Sequence, residues 1–262
     1  MKELYAALGT ELIKVLKSKM LWATFIFFAF IAIMLGFLML VAKHPEIAGN
    51  SAVLTTKASF IGKADWSVYF NLMLQMVLTL GSIGPAIVAI WVFGREYSER
   101  VIKDILVLPV SRLYFVSAKL LIVFIWSFLL LLLLFVLSVL AGLIIQLDGW
   151  SRELLKHNTI VYNVSSLLTI ILFPVVAFIT CVSRGYLLPI AFSILMMIVT
   201  QFIYLGLPLI TPYFPWAIPG LYSGVAGPFS PKPEVISYMI LAVTSILGIT
   251  GTAAWGRYAD QH

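Results

Sequence analysis

Six stretches of this chain contain neither an acidic nor a basic residue: Met20–Ala42, Trp66–Gly94, Leu120–Leu147, Asn158–Ser183, Gly185–Pro231 and Val235–Gly256. Each is longer than the roughly 20 apolar residues of helix that cross the hydrocarbon core of a bilayer. Lipid offers no partner to backbone N–H and C=O groups, so a crossing segment must satisfy its own, and for uninterrupted apolar windows the helix does this. Only 11% of the residues are charged and 62% are hydrophobic, against about 25% charged in soluble domains. The fold class is therefore all-α, a polytopic membrane protein.

The fifth window is long enough for two spans. Its second half reads "TPYFPWAIPGLYSGVAGPFSPKP", where prolines recur too often for a continuous helix. Six spans are expected, over 20–42, 66–93, 114–147, 158–183, 185–210 and 235–256. Residues 211–234 are read as an external or re-entrant segment, since irregular backbone at membrane depth persists only inside protein or beside a water-filled cavity. No polar linker, repeat or low-complexity tract divides the chain, so 1–262 is one membrane domain.

The cations set the orientation. With the N-terminus cytoplasmic, the inner segments hold Lys2, Lys14, Lys17, Lys19, Arg95, Arg100, Lys103, Arg112, Lys119, Arg184 and Arg257. The outer ones hold Lys43, Lys57, Lys63, Arg152, Lys156 and Lys232. The excess puts both termini in the cytoplasm. The first window is too long for a signal-peptide core and reads as an uncleaved anchor. The net charge of +6 then faces anionic inner-leaflet lipid, not nucleic acid. The single cysteine, Cys181, excludes an intrachain disulfide and reads as a buried small hydrophobe.

Before the first span, "MKELYAALGTELIKVLKSK" gathers Leu4, Tyr5, Leu8, Leu12, Val15 and Leu16 on one helical arc, with Lys2, Glu3, Glu11, Lys14 and Lys17 on the other. This predicts an amphipathic helix over 1–19 in the inner interface. A second amphipathic element is "GREYSERVIKDILVLPVSR", residues 94–112, which holds a quarter of the chain's charges. On a wheel, Arg95, Glu96, Glu99, Arg100, Lys103 and Asp104 fill one half. Tyr97, Val101, Ile102, Ile105, Leu106 and Leu108 fill most of the other, and Pro109 ends the helix. Glu96 with Arg100 and Glu99 with Lys103 stand in the favourable acid-first i, i+4 order. Such a helix could simply pair its own charges on the membrane surface. Its place at the tip of two spans longer than a bilayer needs, followed by the rigid turn "PVSR", favours an element presented to a partner, with Arg112 set to donate to carboxylates or carbonyls.

Within the second span Asn71, Gln75, Thr79 and Ser82 share one helix face. Asn163 with Ser166, and Thr200 with Gln201 and Tyr204, are further polar clusters in apolar surroundings. These residues either line a translocation path or hydrogen-bond between helices. Pro85, Pro174 and Pro189 mark places where spans can kink.

No G-x-x-x-x-G-K-[ST] occurs, so nucleotide chemistry would have to reside on another polypeptide. H-E-x-x-H is absent, and His44, His157 and His262 lie outside the spans, so neither a catalytic nor a metal site is expected. The charge-free windows within the spans hold none of the Asp, Glu, Lys or Arg that ion-coupled carriers usually keep at depth. That disfavours an ion-coupled carrier and suits a transporter energised from outside the bilayer.

Residues 93–121, "FGREYSERVIKDILVLPVSRLYFVSAKLL", resemble the signature region of ABC-2 type permeases, the membrane subunits of ATP-driven exporters, and among them the six-span permeases of bacitracin-efflux and lantibiotic-immunity systems. The N-terminal interfacial helix, the six spans and "YFPWAIPGLYSG" before the last span extend the resemblance over nearly the whole chain. It implies that 94–112 is a coupling helix docking in a cleft of a separate ABC ATPase subunit. Glu96, Glu99, Arg100, Lys103 and Asp104 would make polar contacts there, and Leu106, Pro109 and Arg112 would seat the turn. It further implies a second permease protomer, identical or homologous, and no cofactor on this chain, ATP and magnesium being held by the ATPase. A bacterial cell membrane and a hydrophobic or amphipathic cargo such as a peptide antibiotic or drug complete the expectation. The rival from another class is a non-transporting scaffold or immunity protein whose charged inner helix binds a cytoplasmic partner.

Overall fold

The computed structural model describes residues 2–48, 51–53, 56, 61–98, 112–227 and 230–258. Nine α-helices carry almost all of them: α1 Lys2–Leu16, α2 Lys19–Lys43, α3 Trp66–Ser98, α4 Arg112–Ile145, α5 Arg152–Ile170, α6 Phe173–Ser183, α7 Leu187–Gly206, α8 Ile218–Ser223 and α9 Val235–Tyr258. Among the described residues there is no strand, only an isolated bridge between Asp65 and Asp148. Among the described residues six helical stretches are long and apolar enough to cross a membrane: α2, α3, α4, α5 with α6 as one, α7 and α9.

The helices begin and end close to the bounds expected from the sequence, and the departures have local causes. The fourth begins at Arg152 instead of 158 because Ser151 is an extended N-cap whose hydroxyl accepts from the Leu154 amide at 3.0 Å, while Glu153 sits favourably in the first turn. It breaks at Ile171–Leu172, where Pro174 in the first turn of α6 cannot donate to the preceding turn. Pro85, by contrast, lies within the continuous α3, and Pro189 falls in the first turn of α7, where its missing N–H costs nothing. The helix of the second span runs through Ser98, so the first residues of the expected coupling helix prolong that span. The remainder, 99–111, with Glu99, Arg100, Lys103, Asp104, Leu106 and Pro109, lies outside the described residues. Arg112 is the first residue of α4.

The expected interfacial helix is α1, separated from α2 by Lys17 and Ser18, whose side chain caps α2 through the Met20 amide at 2.9 Å. Its environment differs from a simple water-facing and lipid-facing division. Tyr5, Leu12, Ile13 and Leu16 are exposed, whereas Ala7, Glu11 and Val15 are buried, and α1 packs on α4. Glu11 turns from the polar arc into the protein because Lys14 closes on it at 2.5 Å, leaving a neutral pair to bury.

The core forms around α3 and α4. Helix α3 packs on α4, α5, α6 and α7, and α4 on α1, α2, α5 and α9. Phe28, Trp66, Tyr69, Met73, Val123, Leu130 and Tyr162 are among the side chains wholly enclosed there. Helices α7 and α9 are peripheral and show lipid-type surfaces, with Leu187, Phe202, Leu205, Val235 and Leu247 exposed. Between them, the proline-rich stretch makes two short 3₁₀ turns and α8, closed by Gly224 in the left-handed conformation (φ 79°). Thr211, Pro212, Ala217, Ile218 and Leu221 are buried in it, and Ile218 meets Leu172 and Leu241. Thr211, Pro212 and 217–221 are thus covered by protein while Tyr213 is exposed; covered irregular backbone of this kind survives in lipid.

Candidate functional site

Two places gather the residues singled out by the sequence. The first lies where α3 ends and α4 begins, on either side of segment 99–111. Two turns into α4, Lys119 is only 2% exposed. Its Nζ lies 2.6 Å from Glu96 Oε1 and donates to the Val92 carbonyl at 3.2 Å, between the rings of Phe93 (5.4 Å) and Phe115 (5.1 Å). Val92 and Glu96 are one turn apart on α3, so a single ammonium reaches both. The opposite charge and the carbonyl offset the desolvation that would make a lone lysine untenable there.

This arrangement extends to neighbouring helices. Lys14 of α1 lies 5.2 Å from the centroid of the same Phe115 ring, so the ring is shared by cations from α1 and α4. Arg95 covers Trp91 at 5.3 Å, Trp91 meets Trp126 edge-on, and the Trp126 indole N–H donates to Thr24 Oγ1 of α2 at 3.2 Å. Cys181 of α6 is buried within hydrogen-bonding reach of Tyr97 and in the field of Lys119 and Glu96. Five helices therefore meet in one polar and aromatic collar. Of the expected coupling residues, Glu96 belongs to this collar, held by Lys119 and about one-fifth exposed. In the sequence Lys119 stands out only as an orienting cation. Its signal was its place two turns inside a helix, at the edge of a charge-free window.

The second place is an open cleft of about 460 Å³ between α3 and α7, in the first half of α3 and beside the C-terminal end of α7. Gln75, Leu78 and Thr79 line it from α3, Gln201, Tyr204 and Leu205 from α7, and Pro208 with 225–227 and Ser230 close it. Three of the six path candidates, Gln75, Thr79 and Gln201, are thus brought together, and Tyr204 joins them. Asn71 is exposed one turn away and donates to the Ser67 carbonyl at 3.1 Å. Ser82 donates to the Thr79 carbonyl at 2.6 Å and borders a separate void of about 20 Å³ with Pro85, Thr169 and Trp216. Asn163 donates to the Thr159 carbonyl at 2.8 Å and lies on α5, away from the cleft. Thr200 is buried and bonds back to the Met196 carbonyl at 2.6 Å. These backward bonds satisfy hydroxyl and amide donors inside their own helices.

Among the described residues no charged side chain lines the cleft. Its surface offers carboxamides, hydroxyls and apolar walls, which suits an uncharged or amphipathic molecule more than a phosphate or a metal ion. Among the described residues no three His, Cys, Asp or Glu side chains are placed to hold a metal.

Residues 7–200 match the ABC-2 family transporter proteins. A relative from Bacillus licheniformis, the bacitracin transport permease protein BCRB, is 30% identical over 193 residues, which cover 72% of this chain and 89% of the relative.

Proposed function

This chain belongs to the ABC-2 family of transporters and is a membrane permease subunit; on that premise we propose that a separate ABC ATPase drives it to export a hydrophobic or amphipathic compound, a peptide antibiotic being the first candidate. The cargo class is supported by the bacitracin permease named among its relatives and by the uncharged, half-apolar cleft between α3 and α7.

One observation carries the ATP-driven reading. Helices α3 and α4 contain 33 and 34 residues, about 50 Å each at 1.5 Å per residue, against a hydrocarbon core of about 30 Å. Even with tilt, helices of this length exceed the lipid, so the ends of the two stems at Ser98 and Arg112 can be reached by a soluble protein. The charges of 99–111, Glu99, Arg100, Lys103 and Asp104, suit a polar docking surface, with Leu106, Pro109 and Arg112 seating its turn. The chain has no Walker motif of its own, so the partner would bind ATP and magnesium. By the distribution of cations this end and both termini face the cytoplasm of a bacterial cell, and the cleft then opens toward the outside. The exposed apolar face of α7 offers a second permease protomer a surface beside the cleft.

In this reading nucleotide binding moves the ATPase, the stems transmit the movement, and the cleft changes access. The test is reconstitution of the chain with its ATPase in proteoliposomes and measurement of ATP-dependent movement of bacitracin. ATP-dependent transport that is lost in Glu99→Lys with Arg112→Glu is the expected result. Hydrolysis and transport untouched by that pair of reversals would remove the coupling assignment.

A further inference from the structure

Near the ends that flank 99–111 the two stems share apolar packing, including Trp91 against Trp126, and among the described residues one buried ion pair, between Lys119 and Glu96. We propose that Lys119 is a positioning residue for energy coupling: by holding Glu96 and the Val92 carbonyl together it locks α3 to α4, so that the two stems move as one body. The inference rests on the ATP-driven reading above.

Filling space at position 119 needs no charge, and an apolar side chain would do so without the desolvation cost of an ion pair. What the ion pair adds is direction. Nζ is 2.6 Å from Glu96 Oε1 and 3.2 Å from the Val92 carbonyl, two groups on one face of α3. Turning α3 by one residue, about 100°, carries both away from Lys119. The pair therefore fixes the rotation of one stem against the other, as buried polar groups fix register elsewhere. Phe93 and Phe115 flank the ammonium and keep water from replacing either partner.

The same two helices are fastened again toward their other end, where the Tyr69 hydroxyl donates to the Ser138 carbonyl at 2.9 Å. From Tyr69 to Val92 is 23 residues, about 35 Å along α3. Two fastenings that far apart make α3 and α4 a beam. A push on the cytoplasmic ends of the stems is then carried along the beam to Gln75 and Thr79 in the cleft, while α7 across the cleft is the least buried of the spans. The differential motion that opens or closes the cleft needs the beam to be stiff.

The test uses the full chain in complex with its ATPase, with Glu96→Gln, Lys119→Met and Lys119→Arg. Glu96→Gln keeps size and leaves Lys119 its carbonyl partner, so it serves if Lys119→Met fails to assemble. Two quantities are read: bacitracin moved per ATP hydrolysed, and the nucleotide-dependent rate at which a membrane-permeant maleimide labels Cys181, the chain's one cysteine, on α6 beside the pair. Expected in Lys119→Met is retained complex formation and ATP hydrolysis, a fall of about tenfold in transport per ATP, and loss of the nucleotide response at Cys181; Glu96→Gln, at a residue also expected to face the ATPase, is read by transport per ATP hydrolysed and by the Cys181 response, both of which should fall in the same way. Lys119→Arg, which keeps the cation, should restore both. Transport per ATP and Cys181 response at wild-type values in the first two variants would overturn the proposal. So would parallel loss of assembly, hydrolysis and transport in both, which marks a purely structural pair. A wild-type complex that shows neither ATP-dependent transport nor a nucleotide response at Cys181 would instead overturn the ATP-driven reading.

Discussion

Gly248 should be the least replaceable glycine of the last span, and the structure gives the reason in distances. A Cβ added there would stand 2.6 Å from the Val175 nitrogen, 2.7 Å from the Pro174 carbonyl carbon and 3.0 Å from the Pro174 oxygen. All three are backbone atoms of the first turn of α6, so no rotamer change relieves the clash. Ordinary carbon contacts lie at about 3.5–4.0 Å, so α9 must retreat from α6 by close to 1 Å. Overpacking of this kind costs about 1–3 kcal/mol, more when rigid groups collide. Alanine returns up to about 1 kcal/mol in helix propensity, and lipid supplies no hydrophobic drive to press the two helices back together. A net loss of about 2 kcal/mol is expected for Gly248→Ala, which for a chain of this size is a fall in Tm of about 4–8 °C. Two internal comparisons make the reasoning falsifiable in one series. At Gly251 the added carbon meets only the Phe178 ring, at 2.9–3.2 Å, and the ring can turn aside, so the fall should be less than half as large. At Gly206 nothing lies within 4 Å, so Tm should hold or rise slightly. Thermal unfolding of the purified chain in detergent, followed by tryptophan fluorescence, measures all three. Equal Tm values for Gly248→Ala and Gly206→Ala would refute the close-approach argument.

Thr24→Val keeps the shape of the side chain but leaves the buried Trp126 indole N–H without its acceptor; a loss of about 1 kcal/mol, read by the same melt, is expected, and Thr24→Ser should recover most of it. Lys43 donates to the Ile145 and Gln146 carbonyls at 2.9 and 2.6 Å, closing the C-terminal end of α4. Its partial exposure discounts the bond, so Lys43→Met should cost about 1 kcal/mol, and hydrogen exchange should show faster opening of the last turn of α4. Asn71 and Gln75 share a face in sequence but not a role in space: Gln75→Leu should impair bacitracin transport, whereas Asn71→Leu, which removes a bond to the Ser67 carbonyl outside the cleft, should leave it intact. Equal effects of the two in a vesicle transport assay would detach the cleft from the path.

Much of the architecture could be read directly from the chain. Windows free of charge located the spans because one buried charge in lipid is expensive enough to leave a mark in sequence. Proline spacing located the interruption after α7 for an equally local reason. The collar was not legible. Glu96 and Lys119 are 23 positions apart, and each belongs to an unremarkable run: one to a charged helix tip, the other to a cationic flank. Neither a wheel nor a composition window relates residues on two helices, so Glu96 was assigned to a partner's surface and Lys119 to orientation alone. The cleft was half legible. Helical spacing joined Asn71, Gln75, Thr79 and Ser82 on one face, but only the packing of α7 against α3 selected Gln75 and Thr79 and added Gln201 and Tyr204 from across the gap.

The sequence by itself determined that this is a six-span helical membrane protein with a charged segment between its second and third spans, because solvation in lipid acts on each residue independently of its neighbours in space. Tertiary structure alone decided which side chains share an environment: the buried pair of Lys119 and Glu96, the Phe115 ring between α1 and α4, the carboxamides facing across the cleft. Those depend on how helices rotate and approach one another, and in lipid that is settled by close packing and a few directed polar contacts, whose partners lie far apart along the chain.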